Sequence, residues 1–169
     1  LDWRMKAILF ALLVALLMIG CGSEDEKENL NDTENNPSVL PPFVEEWTKW
    51  EGNPKPYGGL KILAKIKEAA ESNSTSLSLG VDFIADVSPL KGLTSLEFLW
   101  LNYNTISDIS PLKGLTKLNE LALDGNQISD ISPLEGLSEL KTLYLGRNQI
   151  PEAQKAMLRR ALPNCKITF

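Results

Sequence analysis

The stretch NTISDISPLKGLTKLNELALDGNQISDISPLEGL, residues 104–137, decides the fold because it contains nearly the same text twice. Both copies hold the string ISDISPL, which begins at Ile106 and begins again 22 residues later at Ile128. A fixed period of about 20 to 50 residues is typical of repeat proteins, in which each unit stacks on the next. The period continues beyond this stretch in both directions.

Three complete units follow the pattern L-x-x-L-x-x-L-x-L-x-x-N-x-I. The L-x-L at its centre alternates with a period of two and therefore predicts a short strand with one buried side. Because a single unit is too small to bury that side, the units must stack, and their strands must pair into a parallel sheet. The apolar residues at matching positions are Leu93, Leu96, Leu99, Leu101 and Ile106; Leu115, Leu118, Leu121, Leu123 and Ile128; and Leu137, Leu140, Leu143, Leu145 and Ile150.

The polar positions of the repeat predict how its turns are held. Asn104, Asn126 and Asn148 each follow a strand. An amide side chain both donates and accepts hydrogen bonds, so a stacked column of them can satisfy the turns of adjacent units. Ser-Pro pairs at 110–111 and 132–133 break any long helix, so we predict an outer arc that is extended or forms short 3₁₀ turns.

An aspartate recurs at the same period, as Asp86, Asp108 and Asp130. Aspartate in a turn commonly accepts hydrogen bonds from the backbone amides that follow it, so we predict that each one caps its own turn. A column of calcium ligands along the convex side is the alternative.

A degenerate repeat and a helix precede the complete units. A step of 22 residues back reaches Leu77, Leu79 and Ile84, which indicates a degenerate first repeat. The end of an open array would expose apolar core, so the helical pattern over about residues 59–72 is predicted to cap it. A helix that docks a partner is the alternative. The residues predicted to face the core are Leu60, Leu63, Ile66 and Ala70.

The C-terminal end of the array is predicted to be capped in the same way. Pro151 suits the first helical position, and a helical pattern follows it. A step of 22 residues from Leu143 reaches Cys165, so NCKITF is predicted as a final strand with Cys165 in a buried leucine position. The helical residues predicted to face inward are Ala153, Met157 and Ala161, with Leu158 and Leu162 beside them.

The units LTSLEFLWLNYNTISDISPLKG, LTKLNELALDGNQISDISPLEG and LSELKTLYLGRNQ resemble the leucine-rich repeat family, in particular the 22-residue internalin-like type of bacterial surface proteins. The resemblance covers roughly residues 77 to 150. It implies an α/β fold: a short right-handed solenoid with a parallel sheet on the concave side and helical caps at both ends. It also implies protein binding, with partners that differ between members.

The N-terminus carries a different signal. Lys6 is followed by AILFALLVALLMIG and then by Cys21, and a basic residue, a short apolar run and a small residue are typical of a secretory signal peptide. The run is shorter than the roughly 20 residues of a membrane-spanning helix. MIGC resembles the lipobox of bacterial lipoproteins, which implies cleavage after Gly20 and lipid on Cys21. Gly22 in place of aspartate implies the outer membrane of a Gram-negative cell.

These signals divide the chain into five parts. They are 1–20, a lipoprotein signal peptide; 21–56, the lipidated cysteine and a flexible acidic tether; 57–76, the N-terminal capping helix; 77–150, the repeats; and 151–169, the C-terminal cap helix and final strand. Near the end of the tether, Trp47 and Trp50 lie at near-helical spacing, and we expect them to pack on the N-terminal cap. Docking a peptide, or covering the sheet, are the alternatives for residues 43–56.

Composition limits the function. The chain has no histidine, two cysteines and no catalytic constellation, phosphate loop or metal cluster. We therefore expect no enzymatic activity, cofactor, metal or disulfide. The net charge of −5 becomes −6 without residues 1–20, which hold one Asp, one Arg and one Lys. That sign argues against nucleic acid or anionic headgroups as partners, and we expect a monomer.

The outward side chains of the predicted sheet form the candidate site. Exposed aromatic residues on a rigid sheet are typical of binding hot spots, so we predict that this concave face binds a protein or peptide, with a basic group near its two carboxylates. Five strands about 4.8 Å apart span roughly 20 Å, which fits a peptide or one loop. A structural envelope protein without a ligand and a carbohydrate-binding module are the alternatives. The predicted site residues are Phe98, Trp100, Asn102, Tyr103, Glu120, Asp124, Tyr144 and Arg147.

Overall fold

The computed structural model describes residues 43–169, so the predicted signal peptide, the lipidation site at Cys21 and most of the tether lie outside the described residues. None of the described helices is long and apolar enough to cross a membrane. The described α-helices are α1 (Phe43–Gly52), α2 (Leu60–Glu71) and α3 (Glu152–Ala161). The strands are β1 (Ser76–Ser78), β2 (Phe98–Trp100), β3 (Glu120–Ala122), β4 (Thr142–Tyr144) and β5 (Lys166–Thr168).

The five strands form one parallel sheet in chain order. Leu99 pairs with Leu77 on one side and with Leu121 on the other, and Leu121 pairs with Leu143. Each partner stands at the same position in the neighbouring unit, so the register of the sheet is the period of the sequence. This register confirms the stacked repeats, including the degenerate first one.

The leucines and isoleucines of the repeat form one continuous core. Leu99, Leu101, Leu121 and Leu123 have no solvent-exposed surface, and Leu145 has almost none. Because side chains in a strand alternate between its two sides, the inward leucines leave the residues between them on the opposite side of the sheet. The predicted inward face of the repeats is therefore confirmed.

The asparagine column joins adjacent units. Asn104 accepts a hydrogen bond from the amide of Ile84 at 2.9 Å and donates to the carbonyls of Leu79 at 2.8 Å and Leu101 at 3.0 Å. Asn126 and Asn148 make the same three kinds of bond one and two units later. The column thus satisfies backbone groups of two units at each step, as predicted.

The outer arc of each unit is a short 3₁₀ turn. Its aspartate accepts a hydrogen bond from the backbone amide two residues later, at 2.8 Å for Asp86 and Asp108 and 2.9 Å for Asp130. The prediction that each aspartate caps its own turn is confirmed. The 3₁₀ segments of the repeats are Ser88–Leu90, Ser110–Gly114 and Ser132–Leu134.

Helix α2 caps the N-terminal end, but with a different face from the one predicted. Leu60 is 59% exposed, so the prediction that it faces the core is wrong, whereas Ala70 is half-buried and packs against the core. The reason lies in the turn before the helix, where a Cβ atom on Gly58 would lie 3.0 Å from the side chains of both Ile62 and Ile84. This close packing turns Ile62 toward the repeats. The buried residues of α2 are Ile62, Leu63, Ile66 and Ala69.

The segment before α2 also belongs to the cap. Trp47 and Trp50 of α1 are buried in the core cluster, so the predicted packing of these tryptophans is confirmed. The carbonyl of Pro56 accepts hydrogen bonds from the amides of Ala85 and Asp86, at 2.7 Å and 2.9 Å. The boundary of the flexible tether at residue 56 is therefore wrong, because residues 43–56 are anchored by buried indole rings and backbone bonds.

The C-terminal cap departs from the prediction in its helix face. Leu158 and Leu162 are buried, whereas Ala153 and Ala161 are exposed and Met157 is half-buried. The two leucines, predicted to lie beside the inward face, are its centre. Large side chains gain more from burial than alanines, and the helix turns accordingly.

The register of β5 is also corrected. Leu143 pairs with Ile167 and not with Cys165, so the last step of the sheet is longer than the others by two residues. The ten-residue helix α3 stands where the other units have a 3₁₀ turn, and its longer path accounts for this shift. An even shift keeps Ile167 on the inward side. Cys165 lies before the strand, half-buried, and burial raises the pKa of its thiol.

Candidate binding surface on the parallel sheet

The candidate site is the sheet face, which we define as the outward side chains of β1–β5 and of the segments that directly precede and follow each strand. The register aligns these side chains in rows across the sheet, so residues at matching positions of adjacent units are neighbours. The predicted site residues of the strands therefore come together. The rows that cross β2, β3 and β4 are Phe98, Glu120 and Thr142, and then Trp100, Ala122 and Tyr144.

Two aromatic rings of β2 are fixed on the sheet face. The rings of Phe98 and Trp100 are stacked, with centroids 6.1 Å apart and planes 16° apart. The indole Nε1 of Trp100 donates a hydrogen bond to Oε1 of Glu120 at 3.0 Å. Both rings are half-buried, so each keeps a surface that a ligand can reach. Glu120 has a second carboxylate oxygen that can accept a bond from a ligand.

Tyr103 and Arg147 meet over Gly125. A Cβ atom on Gly125 would lie 2.6 Å from the ring of Tyr103, so the ring occupies the space that a side chain would fill. The guanidinium of Arg147 lies 5.8 Å from the centroid of the Tyr103 ring, which is within the range of a cation–π interaction. Tyr103 is 47% exposed and Arg147 is exposed. The pair presents an aromatic surface and a held cation.

The remaining predicted residues complete the surface, and the carbonyl of Asp124 accepts a hydrogen bond from the amide of Tyr103 at 2.8 Å. Tyr144 is 39% exposed, while Asn102 and Asp124 are half-buried after their strands. Ala122 lies between Trp100 and Tyr144 and is buried, so the sheet face is lowest at its centre.

The tryptophans before the repeats belong to the cap. The rings of Trp47 and Trp50 lie 4.9 Å apart, and the ring of Trp50 lies 6.1 Å from that of Tyr57. Burial, with the carboxylate of Asp86 next in importance, raises the pKa of Tyr57. This aromatic group closes the N-terminal end of the core, which favours a structural role over peptide docking.

A polar depression of about 330 Å³, not predicted from the sequence, lies at the start of the strands. It lies beside the stacked rings and brings a column of residues that precede the strands into the site. The recurrence of polar residues at the period was the available signal, since Glu97, Asn119 and Lys141 are 22 apart. Its lining residues are Glu97, Phe98, Asn119, Glu120, Lys141 and Thr142.

The degenerate repeat also carries an exposed apolar pair that was not predicted from the sequence. Val81 is 63% exposed and Phe83 is 81% exposed, and both have positive φ angles, of 65° and 56°. In the next unit, Thr105 stands at the position of Phe83. An aromatic residue at a position that is polar in the next unit was the sequence feature that could have indicated this exposed pair.

The sequence comparison agrees with this geometry. A family model described as leucine-rich repeats, in two copies, matches residues 75–114 and 116–155. The matched residues contain the strands, the asparagine column and the 3₁₀ turns of the repeats. These residues belong to the leucine-rich repeat family. The comparison with curated proteins gives no match.

Solved structures of two internalins and of a further leucine-rich repeat protein resemble the chain. They include internalin C2 of Listeria monocytogenes, with 40% identity, a TM-score of 0.51 and coverage of 54% of this chain and 40% of that one. A second internalin of the same organism has 38% identity, a TM-score of 0.55 and coverage of 61% and 29%. A leucine-rich repeat protein of Leptospira interrogans has 28% identity, a TM-score of 0.56 and coverage of 62% and 27%. The chain thus spans less than half the length of each.

Proposed function

We propose that this leucine-rich repeat protein is a cell-envelope lipoprotein, anchored through Cys21, whose sheet face binds a protein or peptide. Leucine-rich repeat domains commonly mediate protein–protein interactions and are generally binding scaffolds without enzymatic activity. The observation that carries the binding proposal is the exposed aromatic surface on a rigid sheet. The rings of Phe98 and Trp100 are stacked and the indole of Trp100 is hydrogen-bonded to Glu120, so little conformational entropy is lost when they contact a ligand.

The proposed location in the cell envelope is supported by the N-terminal sequence and by the relatives. Internalin-like relatives are bacterial surface or secreted proteins. The basic residue, the apolar run of residues 7–20 and Cys21 are typical of a lipoprotein signal. Lipid on Cys21 would hold the domain at the membrane, and the outer membrane of a Gram-negative cell is the location proposed.

The test of binding is the Trp100→Ala variant. The full chain, its variant and a Lys113→Ala control on the exposed outer arc are compared in crosslinking with an envelope extract of the native host. Partners that depend on the sheet face are expected to be recovered by the parent and the control, and to be lost with Trp100→Ala. Truncation of a binding hot spot costs about 2 kcal/mol or more, which is roughly 30-fold in affinity.

Circular dichroism of the variant checks that the loss is not one of folding. If Trp100→Ala recovers the same partners as the parent, the sheet face is not the binding surface. A glycan array with the same three proteins distinguishes carbohydrate binding from protein binding. A glycan bound by the parent and the control but not by Trp100→Ala would show that the sheet face binds sugars. Recovery of nothing by any of the three would favour a structural envelope protein.

A further inference from the structure

The charged side chains of the sheet face are sorted by sign. The first half of the sheet carries only carboxylates and the second half only cations. The sorting holds at both ends of the strands, so it is a property of the whole face and not of one pair. The carboxylates on β2 and β3 and their adjoining turns are Glu97, Glu120 and Asp124. The cations on β4 and β5 and their adjoining turns are Lys141, Arg147 and Lys166.

The sorting ends at the edge of the sheet face. On the loops that lead into the strands the signs are mixed, with Lys117 before β3 and Glu139 before β4. These two residues line a separate depression of about 470 Å³ on that rim. A ligand that lies across the strands would therefore meet one sign and then the other.

The opposite charges are held but not neutralised. Glu120 is fixed by the indole of Trp100, and Arg147 lies over the ring of Tyr103. Between described residues the one ion pair within 4.0 Å is that of Lys155 with Glu152, on α3 and away from the sheet face. Carboxylates and cations of the face thus stay available to a partner.

Basic character continues past β5. The ring of Phe169 lies 4.8 Å from the guanidinium of Arg159 and 5.5 Å from Nζ of Lys155. Because Phe169 packs against the core, these two cations lie with α3 and do not belong to the sheet face.

The spacing of the two halves defines a partner. The centres of the acidic pair of strands and the basic pair of strands are two strands apart, which is about 10 Å. An extended peptide rises about 3.3 Å per residue, so side chains three residues apart match this distance. Like charges that face each other are unfavourable, so a partner with two opposite charges fits in one orientation and not in the reverse.

We propose that the sheet face binds an extended peptide segment that crosses the strands, with a basic side chain over β2 and β3 and a carboxylate over β4 and β5. This inference rests on the proposed binding function and adds the chemistry and orientation of the partner. The polar depression receives the basic side chain, since two of its lining residues, Glu97 and Glu120, are carboxylates. Lys141 at its far side marks where the sign changes.

The probe is a library of random displayed peptides of about a dozen residues, selected on the full chain. Selected sequences are expected to carry Lys or Arg and Asp or Glu about three positions apart, in one order along the peptide. If no peptide is selected, the binding function itself fails. If peptides are selected without that charge order, the binding function stands and the inference is overturned.

A charge-inverted variant sharpens the test. Four substitutions, Glu97→Lys, Asp124→Lys, Lys141→Glu and Lys166→Glu, reverse the sign of the net charge of each half, from −3 and +3 to +1 and −1, and leave the Trp100–Glu120 and Tyr103–Arg147 contacts in place. The consensus peptide is expected to bind this variant with an affinity lower by about tenfold or more. A peptide with its charges exchanged is expected to recover that affinity. The Lys113→Glu/Glu135→Lys variant, with both changes on the exposed outer arc, is expected to bind like the parent.

Two further results distinguish an extended peptide from a second copy of this chain as the occupant of the sheet face. Failure of the exchanged peptide to regain affinity on the inverted variant would overturn the inference, provided that circular dichroism shows a folded protein. A sorted face is also self-complementary about a two-fold axis, so sedimentation of the chain alone is measured. A dimer that the four substitutions abolish would assign the face to a second copy and overturn the peptide proposal.

Discussion

At the scale of single residues, the asparagine column accounts for how the repeats hold together. Asn126 accepts a hydrogen bond from the amide of Ile106 and donates to the carbonyls of Leu101 and Leu123, at 2.9 to 3.0 Å. It is 7% exposed, so water has little access to these groups. The two carbonyls also accept hydrogen bonds from the neighbouring asparagines, Leu101 from Asn104 and Leu123 from Asn148. One side chain therefore satisfies three backbone groups of two adjacent units.

The Asn126→Ala variant is expected to lower the free energy of unfolding by about 1 to 3 kcal/mol, because the buried amide of Ile106 loses its partner. The carbonyls of Leu101 and Leu123 each lose one of two hydrogen bonds and keep those from Asn104 and Asn148. Guanidinium chloride denaturation followed by circular dichroism measures the change. Asn119→Ala is the control, since its side chain makes one long bond of 3.4 Å at the surface. A loss for Asn126→Ala no greater than that of the control would contradict the role of the column.

The backbone conformation after each strand is the second feature at this scale. Val81, Tyr103, Gly125 and Arg147 stand at the same position in successive units, and all four have φ angles between 55° and 69°. Side chains other than glycine are strained in this left-handed region, most of all β-branched ones. The first, second and fourth repeats therefore hold a strained residue beside the sheet face, and Gly125 removes the strain in the third.

The Val81→Gly variant is expected to raise the free energy of unfolding by about 0.5 to 1 kcal/mol. Relief of the strain, about 1 to 2 kcal/mol, exceeds the entropic cost of glycine, and little burial is lost because Val81 is exposed. Thermal and chemical denaturation check the sign. Gly125→Val tests the equivalent position of the third repeat. It is expected to lower the free energy of unfolding by more than Val81→Gly raises it, since a Cβ there would lie 2.6 Å from the Tyr103 ring. A destabilised Val81→Gly protein would show that the conformation carries no strain.

At the scale of elements, the strands and arcs could be predicted and the caps only in part. The period of the repeat sets the register of β1–β4 and the 3₁₀ turns, because every unit repeats the same contacts. The helical pattern of α2 supports two overlapping faces that share Leu63 and Ile66, and the packing of Ile62 and Ile84 around Gly58 decides between them. At the other end the longer α3 replaces a 3₁₀ turn, so arithmetic from the period misplaces Cys165.

Some contacts of the candidate site could also be predicted from the period of the sequence, and others could not. The neighbours Phe98, Trp100 and Glu120 follow from the period, since matching positions of adjacent units share a row. The contact of Tyr103 with Arg147 spans two units and depends on a left-handed backbone and on the missing side chain of Gly125. Periodicity carries no information on backbone angles or on which way a long side chain turns.

Deletion of one whole unit, residues 115–136, is expected to leave a folded protein. The deletion brings Leu143 opposite Leu99 in the register that Leu121 held, because units of equal length are interchangeable in a solenoid. The free energy of unfolding is expected to fall by several kcal/mol, as about one unit of buried surface is lost, and denaturant titration measures it. A deletion shorter by a single residue, 116–136, turns the strand faces over and is expected to prevent folding. Two deletions of equal stability would contradict the role of the period.

At the scale of the whole molecule, the negative charge and the binding surface lie in different parts of the chain. Residues 43–169 hold 14 Lys and Arg and 15 Asp and Glu, so the described domain is nearly neutral. Residues 22–42 hold six Asp and Glu and one Lys, which is most of the net charge. The acidic balance of the chain therefore does not describe the sheet face, where the sorting of charges between its two halves sets the partner.

The last prediction concerns the attachment of this molecule to a membrane. Cys21 follows the apolar run of residues 7–20, and the proposed cleavage would leave it as the first residue, with lipid on its thiol and amine. Several acyl chains give stable anchoring, since each buried methylene contributes about 0.8 kcal/mol.

In a bacterium fed a clickable fatty acid, the parent is expected to be labelled and Cys21→Ala unlabelled, with residues 1–20 still present in its intact mass. Cys165→Ala is the matched control, because Cys165 is the one other cysteine and lies half-buried beside β5, and it is expected to be labelled like the parent. Label on Cys21→Ala, or cleavage of it after Gly20, would contradict the proposed anchor while leaving the repeat domain and its sheet face as described.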